Sequence, residues 1–115
     1  MRRARAFTLV EIMIVVLIIG ILLAIAVPQW VATRSRTQQR TCLTHLRSIS
    51  HAKEQWAMEF NKGTGDAVVA GDLVPTYIKG AFPACPGGGA ITISTVGTEP
   101  TCSLSAAPTF PHLMP

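Results

Sequence analysis

Hydrophobic side chains along this chain follow three successive patterns. From Phe7 to Val27 they form one block in which Glu11 is the single charge, and Ile12 to Val27 holds no charged or polar residue. These 21 residues would rise about 31 Å as an α-helix, enough to cross the apolar layer of a bilayer. After Pro28 the block gives way to an amphipathic stripe. Cys42, Leu46, Ile49, Trp56 and Phe60, flanked by Leu43 and Ala57, recur at helical spacing, while Arg40, Arg47, Glu54 and Glu59 fall largely off it. The stripe predicts a helix continuing to about Phe60, stopped by Asn61 and Gly63.

Beyond Gly63 the pattern becomes short and punctuated. Asp66 and Asp72 suit turns or caps, and residues 72–79 predict a short helix or turn packed by Leu73, Tyr77 and Ile78. Cys85-Pro86-Gly87-Gly88-Gly89 is a loop signal. Alternation and β-branching over residues 90–96 predict a strand, residues 97–100 a turn, and residues 101–104 a second strand. Pro108, Pro111 and Pro115 mark an extended or loose tail. The expected fold is α+β: a long N-terminal helix carrying a small antiparallel hairpin head. The organisation reads as a basic leader over 1–6, an apolar helix over 7–28, an amphipathic helix over 29–60 and a head over 61–115.

Charge alters this picture little. The formal net charge is +4, but Arg2, Arg3 and Arg5 supply three of ten cations; without the first six residues, seven cations face six acids. Arg34, Arg36, Arg40 and Arg47 follow the apolar block, and Lys53, Lys62 and Lys79 are scattered. A nucleic-acid partner is not expected from so dispersed a charge.

Glu11 separates the readings open to the apolar block. An acidic side chain at the centre of a spanning helix costs on the order of 2.5–3.5 kcal/mol, and less near its edge. An uncleaved single-pass anchor presenting a small binding domain gains nothing from that cost. A secretory signal peptide cut after Ala24-Ile25-Ala26, before Val27, gains nothing either. A helix cut before Phe7 does gain, because Glu11 becomes a countercharge for the new amine on its own chain or a neighbour. The carboxylate also suits the positive end of a helix.

Ala6-Phe7-Thr8-Leu9-Val10-Glu11 and the apolar run after it resemble the N-terminal cleavage and methylation segment of type IV pilins and type II secretion pseudopilins. The likeness covers residues 2–28. It implies a prepilin peptidase that cuts between Ala6 and Phe7 and methylates the new amine of Phe7. It also implies a Glu at Glu11, a Gly at Gly20 and a Pro at Pro28; the family residue before the cut is usually Gly, where this chain has Ala6. Gly20 is a weak helix former and Pro28 removes a helical hydrogen bond, so the stretch between them is expected to bend or unwind, and the resemblance places loss of order there on assembly. Trp30 suits a membrane interface. A softer resemblance to compact pilin-like heads rests on Cys42-Leu43 with Leu46-Arg47, Glu54-Gln55-Trp56, Cys85-Pro86 and Thr101-Cys102-Ser103.

The implied function is structural: a subunit of a type IV pilus or type II secretion pseudopilus. Its partners would be the peptidase, other subunits and the inner membrane, with the N-terminus cytoplasmic before processing and a periplasmic or extracellular filament afterwards. No nucleophile–base pair or phosphate loop marks an enzyme, and no cofactor is expected. Three cysteines leave one over if two pair. Cys85 and Cys102 bracket the hairpin and would staple it, with Cys42 as rival partner or free thiol. For zinc, Cys42 and His45 share a helix and His51 and His112 are available, but His45 and His51 face different sides, no CxxC pair occurs and a third ligand has to be invented, so no metal site is expected. Calcium, which some pseudopilin heads bind, would need an oxygen cluster that Asp66, Asp72 and Glu99 are too scattered to supply.

Overall fold

A computed structural model describes residues 3–114. Its elements run α1 (Leu9–Glu59), α2 (Ala70–Leu73), β1 (Ile91–Thr92) and β2 (Thr101–Cys102). The long N-terminal helix with a small antiparallel sheet is the expected α+β, pilin-like arrangement. Two compact units are present, residues 1–34 and 35–115, and α1 contributes to both. Arg2 and Pro115 lie outside the described residues.

In the first unit every apolar side chain of the block is exposed, from Phe7 at 84% to Ile19 at 49%. A helix apolar on all sides needs lipid or other helices around it. By length and composition α1 holds one candidate membrane span. The stretch from Gly20 to Pro28 is helical throughout, with Pro28 inside the helix. Arg34 lies over the Trp30 ring, 5.8 Å from its centroid.

The second unit forms around the remainder of α1. Cys42, Leu46, Ile49, Trp56 and Ala57 are buried as the stripe predicts, and Ala52 and Lys53 join them. Phe60 departs from the stripe: it lies past the helix end, 56% exposed, tilted against Trp56 at 5.8 Å. The stop is a left-handed cap, with Asn61 at φ 51 and the Lys62 N–H donating to the Ala57 carbonyl at 2.8 Å. Asp66 and Asp72 serve as turn residues, their carboxylates accepting from the N–H groups of Gly63 at 2.8 Å and Val69 at 3.1 Å. Ile49, Ala52, Trp56, Ala57, Val68 and Leu73 make one core cluster. Tyr77 and Ile78 pack on it from the segment after α2.

The hairpin is shorter than its sequence pattern predicts. Ile91 pairs with Cys102 and Thr92 with Thr101. The pairing ends there because Ser94 adopts φ 63 and the carbonyls of Ile93, Thr95 and Thr98 turn to Lys53 Nζ instead of a partner strand. The tail is also less loose than expected. Gln39 Nε2 donates to the Pro111 carbonyl at 2.7 Å, and the His112 N–H donates to the Leu104 carbonyl at 3.0 Å.

One hydroxyl reports on the helix end. Tyr77 Oη donates to a Glu59 carboxylate oxygen, and this hydrogen bond, with smaller help from desolvation and the carboxylate's charge, pushes its pKa up to about 12 from 10. A raised folded-state value means that the contribution to stability is present below pH 10 and is lost as pH rises through about 12. The chain has a single tyrosine, so its ultraviolet ionisation signal is unmixed. The midpoint is expected near 12 in the intact chain and nearer 10 in Glu59→Gln; a midpoint near 10 in both would remove the hydrogen bond from the account.

Candidate assembly segment and the cysteine cluster

Residues 3–8 precede α1 without regular structure and are exposed, Ala6 and Phe7 among them. The helix then begins with a reciprocal cap. Glu11 N–H donates to Thr8 Oγ1 at 3.3 Å, and Thr8 N–H donates to Glu11 Oε2 at 2.9 Å. This is the Thr-x-x-Glu capping box, with Glu11 at the third helical position. Sequence reasoning assigned the carboxylate to a countercharge and to the helix dipole; its bond with Thr8 is a further role, and the Thr8-to-Glu11 spacing was its signal.

The head holds a second collection of chemically capable groups. Cys42 on α1, Cys85 in the loop before the glycines, Cys102 on β2 and His112 in the tail are all buried. One ligand atom from each lies within 4.8 Å of every other. His112 Nδ1 is 3.3 Å from Cys85 Sγ and 4.0 Å from Cys102 Sγ. The three cysteines are free thiols in this structure. Burial, followed by hydrogen bonds with the other two thiols, pushes the Cys42 thiol well above its usual range. Burial also raises Cys85, but hydrogen bonds from Cys42 and from the N–H groups of Gly89 and Gly87 outweigh it, and the net direction is downward.

Gly87 and Gly89 of the glycine run are explained by this cluster, while Gly88 takes a φ of 88 that favours glycine. A Cβ on Gly89 would stand 2.7 Å from Cys102 Sγ, and one on Gly87 would stand 3.1 Å from the His112 ring. The loop therefore wraps the thiols at a distance that side chains would prevent. The fold brings together a set that the sequence kept apart. His45, the residue paired with Cys42 in sequence, turns its Nδ1 to the Ala84 carbonyl at 3.0 Å, and His51 lies exposed beside Glu54. Histidine spacing gave no signal for His112; the one local hint was the Cys-Pro-Gly-Gly-Gly loop.

Comparison with known proteins places the likeness mainly at the N-terminus. Residues 1–27 match the prokaryotic N-terminal methylation motif. The chain is 44% identical to the type IV major pilin protein PilA of Myxococcus xanthus, over 50% of this chain and 26% of that protein. It is 42% identical to a fimbrial protein of Pseudomonas aeruginosa, over 51% of this chain and 38% of that protein. The type II secretion system core protein G of Escherichia coli is 26% identical over 91% of this chain and 81% of its own length. The matched region thus spans well under half the length of the first two relatives. No solved structure matches the chain.

Proposed function

We propose that this chain, whose residues 1–27 match the prokaryotic N-terminal methylation motif, belongs to the type IV pilin and type II secretion pseudopilin family and is a structural subunit of such a filament. A prepilin peptidase cuts between Ala6 and Phe7 and methylates the Phe7 amine. The subunit waits in the inner membrane, held by the apolar part of α1, and polymerises by packing that helix among those of its neighbours. It does no catalysis of its own.

The observation that carries this reading is the conjunction at the start of α1. Apolar side chains on every side of the helix are exposed, while a single carboxylate, Glu11, lies within one turn of its first residue. A membrane anchor accounts for the apolar surface alone. A polymerising helix accounts for the carboxylate too, because cleavage supplies a positive amine four residues away. Gly20 and Pro28 would let the intervening stretch lose helical order on assembly, since Pro28 lacks an N–H to donate and Gly20 favours the helix least.

The test is N-terminal sequencing with mass analysis of the protein from its native host. N-methylated Phe7 is the expected result. A chain beginning at Met1 would identify an uncleaved anchor, and one beginning at Val27 a secreted protein; either would overturn the proposal.

A further inference from the structure

The buried cluster in the head has no part in processing or in packing of the apolar helix, and its chemistry points elsewhere. We propose that Cys42, Cys85, Cys102 and His112 form a tetrahedral Cys3His site for a zinc-class divalent ion, which fastens the head to α1.

Geometry is the first support. Zinc bonds sulfur at about 2.3 Å and imidazole nitrogen at about 2.0–2.1 Å, so tetrahedral ligand atoms stand about 3.5–3.8 Å apart. Four ligand atoms mutually within 4.8 Å, with Nδ1 3.3 and 4.0 Å from two of the sulfurs, need only small side-chain adjustments to meet that figure. The ligand set is a known structural-zinc set, and it has no fifth group to spare.

The surroundings supply what such a site requires. Binding releases three thiol protons to solvent, leaving three thiolates and a neutral imidazole around a doubly charged ion, with one net negative charge. Backbone N–H groups of Gly87 and Gly89 hydrogen-bond to the Cys85 sulfur, where they offset that charge. Leu46, Leu43, Ile91, Leu104 and Met114 pack around the cysteines and keep water out.

A structural need accompanies the fit. The four ligands come from α1, the glycine loop, β2 and the tail, whereas the sheet joining the last elements has two residues per strand. A head with so little sheet and a small core is of the kind that a metal or disulfide commonly supports. A disulfide between two of these cysteines would leave the third thiol and His112 buried without a shared purpose. One ion uses all four.

The test uses the full chain, reduced, stripped of metal by a chelator and held in detergent. Titration with cobalt(II) is expected to saturate at one equivalent, with the intense d–d absorption of a tetrahedral ion and sulfur-to-cobalt charge-transfer bands that zinc(II) abolishes. His112→Ala and Cys102→Ser are each expected to weaken cobalt binding at least about tenfold, whereas His51→Ala, at an exposed site, leaves it unchanged. Protein from the native host is expected to contain one zinc per chain and three thiols that alkylate only after chelation. Absence of tetrahedral bands in the reduced unsubstituted chain would overturn the proposal, whatever the variants do. So would native protein without zinc that carries a disulfide within the cluster. Neither result would bear on processing at Phe7.

Discussion

Glu11→Gln is expected to leave the chain capped and inserted in the membrane, yet to remove it from assembled filaments. The observed cap and the proposed countercharge role meet at this carboxylate, and the substitution parts them. The capping box with Thr8 accepts Gln in place of Glu, since the amide oxygen can still accept the Thr8 N–H. The countercharge role has no such tolerance. Once the chain is cut, the Phe7 amine carries a proton at neutral pH, and packing among apolar helices takes it out of water. An unpaired charge left by removing its partner costs about 3–5 kcal/mol when buried, which lowers incorporation more than a hundredfold. Glu11→Ala loses the cap as well, an extra cost of about 1 kcal/mol in helix stability. The measurement is the ratio of each variant in sheared filaments to that in membranes. If Glu11→Gln incorporates like the unsubstituted chain while Glu11→Ala does not, Glu11 is a cap and the countercharge account fails.

What could be read from sequence follows the range of the interaction. The apolar block, the helical stripe, the stop at Asn61 and the turn aspartates are local patterns, and each corresponds to an observed feature of α1 or the following loop. Features that depend on distant chain were hidden. Nothing near Lys53 distinguishes it from Lys62, yet Lys53 is 3% exposed because a loop about forty residues later folds over it. The same loop explains why the residue 90–96 pattern gave a two-residue strand: three of its carbonyls already had a donor. Likewise Cys42, Cys85, Cys102 and His112 are far apart in sequence, and only the crossing of helix, glycine loop, strand and tail makes them neighbours.

Lys53→Met should be among the most destabilising single substitutions in the head. The ammonium has three N–H donors, and they go to the carbonyls of Ile93 at 2.8 Å, Thr95 at 3.1 Å and Thr98. This clamp holds the 93–98 segment onto α1, where Val96 and Ile93 pack against the core around Trp56. The opposing term is desolvation: burial pulls the Lys53 pKa down from 10.5, with Glu54 and Glu99 partly restoring it. Methionine removes that penalty and retains most of the apolar stem. It cannot donate, however, so three carbonyls lose their shared donor, and a lost hydrogen bond to a charged group costs about 1.5–3 kcal/mol. With relaxation and water entry recovering part of the loss, the net destabilisation is expected at about 2–4 kcal/mol. For a unit of this size, that lowers the unfolding midpoint by roughly 10–20 °C. Thermal unfolding of the full chain, followed by circular dichroism, gives the comparison. A midpoint within a few degrees of the unsubstituted protein would mean that desolvation cancels the three bonds, and that apolar packing alone holds the 93–98 segment in place.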